Sequence, residues 1–248
     1  MLEPASYAYS EDVNWALLRL WGTRRDATIL DVGCGFATTS ERLRRLGNRV
    51  TGIESNAQAL AVASTRLDQV IDSDLRDRAN IGAQLGPDRF DAVIFADVLE
   101  HLDWPGPILR DYLRFLAPGG VVIVSLPNVG LWSTRFGLLA GRFEYADTGV
   151  LDRTHLRFFT RSSARRLLAQ AGLRVTREAF NPGLLRPFVP LAKRLLGSAS
   201  SAEHDPSALL ESPLYQGYLK TVYPIERAIG NVLPGLLAFQ MIFEAKPQ

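Results

Sequence analysis

The sequence has one cysteine, Cys34, in 248 residues. No internal disulfide can form, and that usage fits a reducing compartment. No uninterrupted apolar run approaches the roughly 20 residues of a membrane-spanning helix. The opening Met1-Leu2-Glu3-Pro4 lacks the basic start and apolar stretch of a secretory signal, so a cytoplasmic location is expected. Charge of one sign is also missing. Lys and Arg number 28 against 26 Asp and Glu, a net charge of +2, and no nucleic-acid partner is expected. Histidine is scarce, with only His101, His155 and His204. Internal repeats and long low-complexity tracts are absent. What remains is 47% hydrophobic and 22% charged, the composition of a globular protein with a full core. The length suits one large domain spanning 1–248.

The chain is organised around Ile29-Leu30-Asp31-Val32-Gly33-Cys34-Gly35-Phe36-Ala37-Thr38-Thr39. An apolar β-rich run reaches an acid, turns on two glycines and enters a helix. Gly33 and Gly35 suit a turn that needs positive φ or close approach of a ligand. The helix that follows presents free N–H groups and its dipole to whatever sits on the turn. Thr38 stands where the dinucleotide-binding fingerprint has its third glycine, so the full fingerprint is absent. A tight β-to-α turn without a ligand competes at this point. Cys34 reads as a small residue that fits the turn.

Elsewhere, alternation and punctuation give the outline. Ser10 can cap a first helix that ends near Gly22. Strands are expected at 27–32, 49–54, 69–75, 90–96, 121–126, 173–180 and 236–246. Helices are expected at 39–46, 57–67, 105–116 and 161–171. This is an α/β protein: a doubly wound, Rossmann-like, seven-stranded sheet, mostly parallel with an antiparallel last strand, plus a helical insertion before that strand. The sheet core spans 27–180 and 235–246, the N-terminal helix lies within 1–26, 129–155 reads as a cover over a pocket or an ordinary packed connection, and 181–234 is the insertion. Its basic amphipathic stretch 184–196 reads as a packing helix or, at most, a peripheral membrane contact.

Ligands of such sheets bind outside the carboxyl ends of the strands, where Gly33, Glu54, Asp74, Asp97 and Asn128 all fall. Glu54 follows Gly35 at about the spacing that sets an acid on two ribose hydroxyls in a βαβ nucleotide unit. Asp74 can accept from a purine amino group, or be a solvated or capping acid.

Several stretches in order carry a family resemblance: Asp31-Val-Gly-Cys-Gly35, Glu54, Asp97-Val-Leu-Glu-His-Leu102, Pro118-Gly-Gly120, Ser125-Leu-Pro-Asn128 and Leu151-Asp-Arg-Thr-His-Leu-Arg-Phe-Phe-Thr160. The chain resembles class I S-adenosylmethionine-dependent methyltransferases. Specifically, it is similar to ubiquinone-biosynthesis-type O-methyltransferases and polysaccharide-linked bacterial methyltransferases. The resemblance covers about 27–180 and thins over 181–234. It implies S-adenosyl-L-methionine (SAM) as cofactor. Gly33 and Gly35 would approach its methionine part, Asp31 would orient its amino group, Glu54 would hold both ribose hydroxyls, and Ser55 would be a further cofactor-binding residue. Asp74 would meet the adenine, and Ala96 and Asp97 would lie beside the sulfonium.

Methyl transfer to a hydroxyl needs an aligned acceptor and a proton acceptor or a metal. His101 and His155 are the candidate bases, His101 the better placed. In the resembling families a Glu-x-x-Glu-His run binds a divalent ion. Here Asp97, Glu100 and His101, joined by His155, form the corresponding metal candidate, for Mg, Mn or Zn. Asp97 is shorter than the family's Glu, and an ion pair between Glu100 and His101 is the competing reading. Arg153 and Arg157 flank His155 and could hold an anionic acceptor. The expected reaction is O-methylation of a small molecule or glycan. A nucleotide- or NAD-binding oxidoreductase and a non-catalytic cofactor-binding module are the alternatives, and the sequence leaves the oligomeric state open.

Overall fold

The computed structural model describes residues 13–184 and 213–248. One seven-stranded sheet forms the centre, in the order β3-β2-β1-β4-β5-β7-β6. Its strands are β1 (Thr28–Val32), β2 (Arg49–Glu54), β3 (Gln69–Asp72), β4 (Phe90–Ala96), β5 (Leu116–Pro127), β6 (Leu173–Pro182) and β7 (Ala238–Pro247). β7 pairs antiparallel with both β5 and β6, and the pairs among β1 to β5 are parallel.

The helices are α1 (Trp15–Trp21), α2 (Thr38–Arg45), α3 (Ala57–Arg66), α4 (Arg78–Leu85), α5 (Pro105–Tyr112), α6 (Trp132–Leu139), α7 (Arg161–Gln170), α8 (Pro213–Val232) and the short α9 (Pro234–Leu237). Two layers of buried side chains cover the sheet. One includes Leu30, Phe95, Leu109, Tyr112, Val124 and Phe243. The other includes Leu17, Trp21, Ile29, Leu43, Ile94 and Ile123. Residues alternate between the two faces along each central strand, so both faces are dry, as a parallel sheet requires.

Several local expectations shift. The α1 cap is Asn14, whose side chain accepts from the Leu17 N–H, and the expected cap Ser10 lies outside the described residues. α4 was not anticipated. It begins at Asp77, whose carboxylate caps the Asn80 N–H, and its short run is weakly amphipathic. The strand expected at 121–126 begins earlier, at Leu116, so Ala117–Gly120 lies inside β5, where a register shift between Phe90 and Ala92 absorbs it. The insertion holds the 20-residue helix α8, and the basic stretch 184–196 falls almost wholly outside the described residues. The 129–155 segment contains α6 and an exposed aromatic group. Phe143, Tyr145 and Phe158 meet with centroids 5.6–6.3 Å apart. No helix among the described residues is long and apolar enough to cross a membrane.

Candidate active site

The turn after β1 is left-handed at Gly33 (φ 72°), Gly35 (φ 54°) and Ala37 (φ 57°). A Cβ on Gly33 would lie 2.9 Å from a methyl of Val98, so the turn abuts the segment that follows β4. The Gly35 N–H donates to Glu54 Oε2 at 2.9 Å. The Ser55 and Asn56 N–H groups donate to Glu54 Oε1 at 2.9 and 2.7 Å. The carboxylate at the end of β2, 5% exposed, is thus set in place by three backbone donors.

Asp31 lies beneath the same turn. Its Oδ2 accepts from the Ser40 hydroxyl at 2.6 Å, while Oδ1 is buried without a hydrogen-bond partner. Burial raises its carboxyl to about 6; the Ser40 hydrogen bond opposes that rise and the Glu54 charge adds to it. A buried carboxylate oxygen lacking a donor fits the ammonium group of an amino-acid ligand. Asp74 is turned outward. Arg76 donates to both of its oxygens, at 2.9 and 2.7 Å, and holds its carboxyl below the usual range.

Beyond β4, Ala96 leads into Asp97, a non-glycine residue at φ 57°. Its Oδ1 accepts from Ser125 at 3.1 Å and its Oδ2 from the Gln240 amide. Asn14 donates to Ser125 at 3.0 Å, and Asn181 donates to Asn14 at 2.9 Å and to Gln240 at 2.5 Å. Five side chains from five parts of the chain close a ring that ties α1 to the end of β4. The sequence offered no local signal for Asn14, Ser125, Asn181 and Gln240 acting together, because only the antiparallel return of β7 brings them to one place.

The segment Leu99–His101 forms a short 3-10 turn with Glu100 buried at 1% exposure. Neither Glu100 oxygen has a hydrogen-bond partner. Burial, with the charges of Asp97 and Asp152, pushes its carboxyl well above the ordinary range. The His101 and His155 rings meet edge-on with centroids 4.8 Å apart. His101 Nδ1 lies 3.2 Å from the Thr154 carbonyl and His155 Nδ1 lies 3.2 Å from the Val150 carbonyl. A carbonyl only accepts, so each contact favours the neutral tautomer with the proton on Nδ1 and the lone pair on Nε2. Burial and His155 pull the pKa of His101 down, against the Thr154 hydrogen bond and the Asp152 charge. One ligand atom from each of Glu100, His101 and His155 lies within 4.8 Å of the others. Asp97, expected in that group, is outside it, its oxygens being turned to Ser125 and Gln240.

The two flanking arginines are engaged elsewhere. Arg153 pairs with Asp147 at 2.6 Å. Arg157 donates to the Asp103 carbonyl and lies over the Trp104 ring. Cys34 lies against Gly52, and burial pushes its thiol up, so it fills space and is not a reactive group.

β2, β1 and β4 are neighbours, so Glu54, the glycine turn and Glu100–His101 share one rim of the sheet. Fold and rim are those of an α/β protein whose ligands sit outside the carboxyl ends of its strands. A sequence profile of the family described as a methyltransferase domain matches residues 6–178. The chain belongs to that family, which is the methyltransferase reading of the sequence and not the dinucleotide oxidoreductase one.

Among known proteins, the ubiquinone biosynthesis O-methyltransferase of Serratia proteamaculans is 34% identical over 118 residues, covering 47% of this chain and 48% of that protein. The protein of the same name from Paraburkholderia phytofirmans is 31% identical over 179 residues, covering 71% and 74%. The chain spans about half the length of the first of these relatives. A SAM-dependent methyltransferase structure from Archaeoglobus fulgidus superposes with a TM-score of 0.59 at 16% identity, covering 97% and 96% of the two chains. A solved [4+2]-cyclase, SpnF, superposes with a TM-score of 0.55 at 20% identity, covering 97% and 86%. The shared fold therefore leaves the acceptor open.

Proposed function

We propose that this methyltransferase transfers its methyl group to a hydroxyl of a small molecule or saccharide, with His101 receiving the hydroxyl proton. Bound SAM supplies a methyl already activated by its sulfonium. The acceptor oxygen forms a bond to that carbon as the carbon–sulfur bond breaks, and the proton leaves to imidazole. The chain's part is alignment, exclusion of water and acceptance of that proton. Gly33, Gly35 and Asp31 receive the amino-acid end of SAM, Glu54 and Ser55 the ribose, and Ala96 and Asp97 line the approach to the sulfonium. Asp74 reaches the adenine amino group only by giving up Arg76.

The observation that carries this reading is the paired imidazoles on the rim that also carries Glu54, each with its lone pair on Nε2. The O-methyltransferase activity named for the relatives points the same way. Glu100, His101 and His155 also fit a divalent cation. Two imidazoles and an otherwise unpartnered carboxylate suit Mn²⁺ or Zn²⁺ at least as well as Mg²⁺. When bound, such an ion would lower the pKa of a coordinated hydroxyl, and it would do so in place of His101 as base, because it would occupy the same Nε2 lone pair. An anionic acceptor would draw on Arg153 only by displacing Asp147.

The test is transfer from methyl-labelled SAM across a panel of glycans and quinols, before and after dialysis against chelator. Label on acceptor oxygen supports the reading, and label on nitrogen, or none on any hydroxyl, overturns it. Loss of transfer after chelation, restored by Mn²⁺ or Zn²⁺, supports the cation, and unchanged transfer removes it.

A further inference from the structure

The loop that carries His155 makes a second set of contacts, directed at His101. Asp152 Oδ1 accepts from the Thr154 N–H at 2.8 Å and from the Thr154 hydroxyl at 2.7 Å. That hydroxyl oxygen lies 3.2 Å from His101 Nδ1, as does the Thr154 carbonyl oxygen. A threonine hydroxyl has one proton, and here it points to Asp152. Toward His101 the hydroxyl can then only accept, and the carbonyl can only accept. Two acceptors converge on one ring nitrogen. Without Asp152 the hydroxyl could rotate and donate to Nδ1, which would admit the opposite tautomer. The loop is also clamped to the histidine's own segment. The Leu156 and Arg157 N–H groups both donate to the Glu100 carbonyl at 2.9 Å.

We propose that Asp152 and Thr154 are positioning residues for His101. Asp152 spends the Thr154 hydroxyl proton, and Thr154 then holds the imidazole in one orientation with its proton on Nδ1 and its lone pair on Nε2. The inference rests on the reading of His101 as the group that meets the acceptor. Its logic is that of a general base held by an orienting partner, built here from an Asx-type turn and not from a direct carboxylate–imidazole contact. An imidazole free to turn, or to sample the other tautomer, would offer the acceptor an N–H in a fraction of molecules.

The test uses the full chain labelled with ¹⁵N-histidine at about pH 8. With three histidines, His101 is assigned by the signal missing from His101→Asn. The wild type shows the Nδ1-protonated tautomer at His101. Thr154→Val and Asp152→Ala show a mixture, and Thr154→Ser restores the single tautomer. In the labelled transfer assay, Thr154→Val lowers kcat about tenfold with KM for SAM unchanged. Thr154→Ser recovers it. An unshifted His101 signal in both Thr154→Val and Asp152→Ala overturns the inference, as does an Nε2-protonated wild type. Full transfer by His101→Asn overturns instead the reading on which the inference rests, and leaves the tautomer result to stand separately.

Discussion

Two glutamates on one rim of the sheet show opposite solutions to burial. Glu54 and Glu100 are 5% and 1% exposed. Glu54 accepts three backbone N–H bonds, from Gly35, Ser55 and Asn56. Glu100 accepts none. The first is a finished structural element. Its charge is solvated by the chain, and a ligand's hydroxyls add to an arrangement that already stands. The second carries a desolvation cost that only a proton or a cation can relieve. On the function proposed, the difference separates the part of the rim that binds from the part that acts.

The comparison can be broken by making one change at both places. Glu54→Met strands three donors and is expected to cost about 3 kcal/mol or more. Glu100→Met replaces an unsatisfied carboxyl with an apolar chain of similar volume and is expected to gain about 1–3 kcal/mol in the metal-free protein. Thermal unfolding at about pH 8 in chelator reads both. Destabilisation by both substitutions would mean that Glu100 has partners of its own in solution.

A finer distinction lies in pH. Asp31 has a folded-state pKa of about 6 against 3.8 for the free side chain, with burial the main cause. The folded protein therefore holds the proton more tightly, and stability falls as pH rises from about 4 through 6, by roughly 3 kcal/mol in all. On the function proposed, SAM brings an ammonium group that pairs with the ionised form. Its affinity should therefore rise toward pH 6, by up to about tenfold per unit, and level off above. Calorimetry at several pH values measures this, and Asp31→Asn should flatten the curve. A curve equally steep in Asp31→Asn would assign the dependence to another group.

The amino-terminal half of the sheet was legible because its signals are local. The bounds of β2 and β4 match expectation because acid-terminated, apolar runs between glycine and helix caps mark them directly. Glu54 could be placed from its distance to Gly35 alone. α4 was not legible, since its eight residues carry little apolar periodicity. The Asp97 ring was not legible either, because Asn14 and Gln240 are 226 positions apart and meet only through β7. The family resemblance groups Asp97 with Glu100 and His101, and its left-handed backbone turns it toward Ser125 instead. Sequence also cannot count hydrogen bonds, so the contrast between Glu54 and Glu100 was invisible in it. Thr154 and Asp152 stood inside a recognised stretch, but nothing local showed that they face His101.

The most direct test measures SAM binding by calorimetry to Glu54→Gln and Glu100→Gln side by side. The account predicts that Glu54→Gln weakens SAM at least thirtyfold while Glu100→Gln leaves it within about twofold of wild type. Equal losses in both, or a loss confined to Glu100→Gln, would contradict the division of the rim into a binding part and an acting part.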